Sequence, residues 1–214
     1  MAATTPAKRR PPEPTWGDLG RELRMQRNVV LGSIALLWAI ELVNFLSGHR
    51  LVAFGIHPRT SIGLAGILAA PFLHASVGHL FANTLVMIPL AWMVMVRENW
   101  HLPVVSIAVV LLGGLGVWLV GADQSVHVGA SGLAFGWLGF LVTGGIFERR
   151  IRTILGSLVV LVLFGSLIWG VLPSTPGISW ESHLFGFLAG MLMAWVLARR
   201  GTSGKAAASA ARAR

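Results

Sequence analysis

The sequence predicts an all-α membrane protein, a bundle of six transmembrane helices, and three observations carry that reading. Of 214 residues, 55% are hydrophobic and only 12% charged, about half the charge of an ordinary soluble domain. Six apolar stretches approach or reach the roughly 20 residues that a helix needs to cross a bilayer. Lys and Arg gather on alternate connecting segments, the pattern that marks cytoplasmic loops. The mean hydropathy of +0.73 agrees. The net charge of +9 is then a consequence of topology, and no nucleic-acid partner is implied. With no cysteine in the chain, disulfides and thiolate metal ligands are excluded.

Residues 1–27 read as a basic cytoplasmic N-terminal tail carrying Lys8, Arg9, Arg10, Arg21, Arg24 and Arg27. The first span is expected at 28–47, too long for a signal-peptide core and without a small-residue cleavage site. The outer loop from Ser47 to Pro71 holds a ten-residue apolar run, Ser61 to Ala70. That run is too short to span and is expected to lie in the interface or to re-enter. Further spans are expected at 77–96, 102–121, 130–147, 153–172 and 183–198, the last extended by a few residues at one end. Residues 28–198 thus form the six-helix core, and 199–214 a basic, low-complexity cytoplasmic tail. With the N-terminus cytoplasmic, 15 Lys and Arg residues lie inside and only Arg50 and Arg59 outside. Both termini are then cytoplasmic, and the second, fourth and sixth spans run from outside to inside.

Polar side chains inside a bilayer are costly and invite a functional reading. The second span opens with His74-Ala75-Ser76-Val77-Gly78-His79, followed by Asn83. The fourth opens with Gly129-Ala130-Ser131-Gly132, and the sixth with Glu181-Ser182-His183, followed by Gly186 and Gly190. These three helices share a direction, so charge counting alone puts His79, Asn83, Ser131 and His183 at a similar depth toward the outer face. His79 and Asn83, four apart, share a helical face. His74 would point about 140° away from His79 if the helix already included it, and is expected to brace the loop or cap the helix. Gly132 with Gly136, and Gly186 with Gly190, are small-xxx-small pairs that let backbones approach closely. Such approach is what a Ser131–His183 hydrogen bond of about 2.6–3.2 Å requires.

Each residue also has a plainer account. A membrane serine usually bonds back to its own helix, a lone histidine usually packs, and a glycine pair usually marks a helix crossing. Their joint spacing and common depth favour a site. At these residues the sequence resembles the rhomboid intramembrane serine proteases, whose pattern is His-x4-His-x3-Asn on the second helix, Gly-x-Ser-Gly on the fourth and a His followed by glycines on the sixth. The resemblance covers the six-helix core and implies a serine endopeptidase with Ser131 as nucleophile and His183 as general base. It further implies an oxyanion site made by the Ser131 backbone N–H, His79 and Asn83, with His74, Gly129, Gly132, Gly186 and Gly190 structural beside it. The implied substrate is a transmembrane protein, cut near the outer end of its helix within the lipid bilayer, with no metal and no other cofactor. Lateral entry between the second and fifth helices is implied too, with Trp169 as a gate candidate. The sequence departs from many members in the first outer loop, where His57-Pro58-Arg59 stands in place of a Trp-Arg pair.

Other readings account for fewer residues. A metalloprotease needs an array such as His-Glu-x-x-His, and His74 and His79 have no acid between them. Haem ligation by His79 and His183 leaves Ser131 and Asn83 without a purpose. A transporter usually shows inverted repeats and broken helices. His127, four before Ser131, is a rival base. The principal alternative is a catalytically inactive rhomboid-like adaptor that binds transmembrane helices.

Overall fold

The computed structural model describes residues 15–173 and 177–212; the N-terminal part of the predicted basic tail (1–14) and the last two residues of the C-terminal one lie outside the described residues. Among the described residues, six helical spans are long and apolar enough to cross a membrane: Trp16–Leu46, Val77–Arg97, His101–Val120, Ser131–Glu148, Ile151–Val171 and Trp180–Arg200. The chain is therefore a multi-pass helical membrane bundle.

The first helix, α1 (Trp16–Leu46), starts twelve residues before the expected apolar span. Thr15 and Asp18 form a reciprocal capping box, Asp18 N to Thr15 Oγ1 at 3.2 Å and Thr15 N to Asp18 Oδ2 at 2.8 Å. The box starts the helix in the basic segment, where hydropathy alone shows nothing. Its buried stripe is partly polar, Gln26, Val30, Leu37, Glu41 and Asn44, while Leu36, Leu42 and Phe45 face outward. Apolar residues outside and polar ones inside is the arrangement that lipid as solvent selects.

The loop between the first two spans contains α2 (Ser61–Ala69), a short helix capped by Thr60. A Cβ on Gly63 would stand 1.9 Å from the His57 carbonyl and one on Gly66 2.1 Å from that of Gly55, so α2 is pressed against its own preceding loop. Arg59 docks that loop onto the end of the third span through the carbonyls of Leu119 (2.9 Å) and Gly121 (2.7 Å) and an ion pair with Asp123.

The second span is α3 (Val77–Arg97), capped by Ser76. The third comprises α4 (His101–Ala108) and α5 (Gly114–Val120) joined by a π-helical turn, Val109–Gly113. The fourth, α6 (Ser131–Glu148), lies at the centre: 61% of its apolar stretch is buried, against 6% in the fifth span. That fifth span is α7 (Ile151–Phe164), continued by a 3₁₀ segment to Val171. The sixth, α8, begins at Trp180 and its backbone remains helical to Arg212, through most of the low-complexity tail.

Two devices set how these helices meet. Glycines let α6 and α8 touch backbone to backbone: a Cβ on Gly186 would lie 2.1 Å from the Gly132 carbonyl, and one on Gly190 1.8 Å from that of Gly136. At the other end of α6, Arg97 of α3 is ion-paired with Glu148 and donates to the Phe140 carbonyl at 3.2 Å. The starts of α6 and α8 are thereby brought to one place, beside the start of α3.

Candidate active site

Ser131 is the first residue of α6. The chain reaches it through Gly129, whose φ of +124° is open chiefly to glycine, and where a Cβ would stand 2.6 Å from His79 Cε1. His183 lies in the first turn of α8, 8% exposed. Its Nε2 is 2.9 Å from Ser131 Oγ, and its Nδ1 is 2.8 Å from the Gly170 carbonyl at the end of the fifth span. A carbonyl only accepts, so Nδ1 carries the proton and Nε2 presents a lone pair to the serine hydroxyl. Phe135, one turn after Ser131, stacks on the imidazole with centroids 4.0 Å apart and planes 3° from parallel.

The second span supplies the other side. The Asn83 side-chain amide nitrogen is buried and has no hydrogen-bond acceptor. An orphaned buried donor costs about 1–3 kcal/mol, so such a group is expected where an acceptor arrives during function. His79 is half-buried one turn earlier and touches the Gly129 backbone region.

His74 lies before the helix, which starts at Val77, so the helical angle expected to separate it from His79 does not apply. The two rings meet edge to face at 5.2 Å. His74 Nε2 accepts from the Ala130 N–H at 3.2 Å, steadying the peptide just ahead of Ser131. Burial, and then the neighbouring His79, push the His74 imidazole down to about 4, and the neutral ring that results is the one able to accept. Asn44 in turn holds the His74 carbonyl at 2.8 Å and the Glu41 carboxylate at 3.0 Å.

Glu41, Asn44, Phe135 and Gly170 were not singled out from the sequence. An acid within the first apolar run was a readable signal for Glu41, and Phe135 sits at i+4 from Ser131. Gly170 acts through its carbonyl, which no side-chain pattern reveals. Of the remaining expectations, His127 lies in the loop before α6 with Ser125 Oγ at 2.8 Å and Ser179 Oγ at 2.6 Å on its two ring nitrogens. The Ser131 hydroxyl faces His183 instead. Trp169 is 70% exposed on the 3₁₀ end of the fifth span. Among the described residues, no three His, Asp or Glu side chains are grouped as a metal site requires.

A serine hydroxyl hydrogen-bonded to an imidazole whose other nitrogen is held by a carbonyl is an arrangement that can carry acyl transfer through a serine ester. A family model described as Rhomboid domain matches residues 62–200. The chain is 39% identical to an uncharacterized protein of Mycobacterium tuberculosis over 176 residues, 78% of this chain and 73% of the relative. An uncharacterized protein of Mycobacterium leprae is 37% identical over 78% of this chain and 70% of its own length. The RHOMBOID-like protein 4 of Arabidopsis thaliana is 29% identical over 61% of this chain and 33% of its own length.

Proposed function

Because the chain belongs to the rhomboid family, we propose that it is an intramembrane serine endopeptidase using a Ser131–His183 dyad. The observation that supports this most is the 2.9 Å contact between Ser131 Oγ and His183 Nε2, with the opposite ring nitrogen bonded to a backbone carbonyl. That carbonyl and the Phe135 ring do the orienting that an aspartate does in a triad.

In the proposed reaction Ser131 Oγ attacks the scissile carbonyl while His183 Nε2 takes the hydroxyl proton. The developing oxyanion is met by the Ser131 N–H at the start of α6, by Asn83 Nδ2 and by His79. Each preorganised donor is worth up to about 3–4 kcal/mol of barrier. The imidazolium then protonates the leaving amine, and water attacks the resulting ester with His183 again as base. The substrate is a transmembrane protein whose helix carries weakening Gly, Ala, Ser or Pro residues, because a helical peptide bond is shielded by its own hydrogen bonds. The Lys and Arg distribution supports cytoplasmic termini and a site toward the outer face; reporter fusions at residues 5 and 210 should both read as inside.

The deciding experiment is fluorophosphonate labelling of the purified protein together with cleavage of a reporter transmembrane segment in liposomes. Labelling is expected on wild type and absent in Ser131→Ala; cleavage should be lost in Ser131→Ala and His183→Ala and survive EDTA. A wild-type protein that folds but neither labels nor cleaves overturns the protease reading in favour of an adaptor.

A further inference from the structure

His127 is not used by the dyad, yet it is 5% exposed and bonded on every polar edge. Its backbone forms an antiparallel bridge with Ile56 of the first outer loop, N–H to carbonyl at 3.0 Å both ways. Its side chain reaches the opposite way, to the start of α8. There Ser179 precedes the first helical residue, its carbonyl accepts from the His183 N–H at 3.3 Å, and its hydroxyl accepts from the Ser182 N–H at 3.3 Å. Ser179 is therefore the N-cap of the sixth span.

The hydrogen-bond partners fix how His127 engages it. Ser125 donates its only hydroxyl proton to the Ala122 carbonyl at 2.6 Å, so its oxygen accepts from His127 Nε2–H. Burial holds His127 below its ordinary value, against the opposing pull of Glu181, and the neutral ring keeps a lone pair on Nδ1. The Ser179 hydroxyl donates to that lone pair at 2.6 Å in preference to the Glu181 carboxylate at 3.5 Å, which leaves its oxygen to accept from the Ser182 N–H and, at 2.8 Å, the Ser182 hydroxyl in the first turn of α8. The Ser182 carbonyl of the same turn stands 3.2 Å from where a Gly132 Cβ would be, so that turn rests on the residue after Ser131.

We propose that His127 is a positioning residue for the His183 base, acting through the Ser179 hydroxyl that caps α8. The proposal rests on the serine-protease reading. His183 is only four residues past the cap, and an error near 1 Å in a reacting group can cost about 10²-fold in rate. Histidine suits the position because one planar ring spans Ser125 on the loop side and Ser179 on the helix side.

The test uses the full chain in liposomes with a reporter transmembrane substrate. His127→Ala and Ser179→Ala should each lower kcat about five- to tenfold, the scale of a lost N-cap, with KM within about twofold. The double variant should lose no more than either single one, since both break one link. His127→Asn, which puts an oxygen where Nδ1 stands, should restore most of the activity, and His127→Gln, whose amide mimics Nε2, should not. Amide hydrogen exchange at Ser182 and His183 should quicken in His127→Ala and Ser179→Ala, a readout that needs no catalysis. Additive losses, rescue by Gln but not Asn, or unchanged exchange would each overturn the proposal. A wild type that does not label at Ser131 would overturn the protease reading instead, and the exchange comparison would still decide the clamp.

Discussion

The Phe135 ring lies flat on the imidazole of His183, 4.0 Å away and 3° from parallel, so the helix that carries Ser131 also supplies the backing for its proposed base. A stacked aromatic pair contributes about 0.5–1.5 kcal/mol beyond area burial. Phe135→Leu should therefore lower kcat by about two- to tenfold, while Phe135→Tyr keeps most of it. A Leu variant with wild-type kcat and a changed KM would move Phe135 from orienting the base to lining the substrate path.

Much of this geometry was legible in the sequence, for identifiable reasons. The lengths of the apolar runs located the six spans, and the alternation of direction from span to span put the starts of the fourth and sixth, with Ser131 and His183, at one end. Glycine spacing pointed to the α6–α8 crossing, where Gly186 meets Gly132. The start of α1 at Trp16 was hidden, because its capping box lies in polar sequence that a hydropathy count reads as tail. His74 lies ahead of α3, so its 5.2 Å contact with the His79 ring comes from the irregular chain between them, which helical spacing does not describe. The Gly170 carbonyl stayed invisible, since its acceptor role depends on a 3₁₀ ending and on where the fifth span lies.

The glycine crossing makes a sharp prediction with its own controls. Gly190→Ala would put a methyl 1.8 Å from the Gly136 carbonyl, backbone that cannot swing aside. It should destabilise by at least the 1–3 kcal/mol or so typical of overpacking and lower labelling of Ser131 by parting α6 from α8. Gly32→Ala and Gly156→Ala meet nothing within 4 Å and should be neutral or stabilise by about 0.5–1 kcal/mol. Thermal melting in one detergent separates the two groups. Equal melting temperatures across all of them would refute a close-packed crossing.

Acid should loosen the protein through His74. Its folded value of about 4 lies below the ordinary 6.5, so between these pH values the unfolded chain binds a proton that the folded one refuses. The contribution is then fully present above about pH 6.5 and is lost as pH falls toward 4. His127, also held low by burial, adds to the same trend. His74→Gln should flatten the fall in melting temperature between pH 7 and pH 4.5 without abolishing it. An unchanged slope in that variant would mean that other groups carry the acid sensitivity.

Asn83 offers the clearest separation of stability from activity. Its amide nitrogen is buried without an acceptor, so the resting protein gains no hydrogen bond from that atom. If the missing acceptor is the oxyanion, Asn83→Ala should slow kcat while the melting temperature holds. Loss of one such donor costs about 10²–10³ in kcat in a soluble protease. A smaller loss, about tenfold to a hundredfold, is expected here because the Ser131 N–H and His79 remain to share the charge. His79→Ala should behave alike, with kcat falling more than KM rises, since the charge both residues meet exists chiefly in the transition state. Ser131 should still label with a fluorophosphonate in both variants, though more slowly, because hydroxyl and base are untouched. Unchanged kcat with raised KM in both would assign the pair to substrate docking, and the orphaned amide would then be waiting for a substrate carbonyl in the ground state.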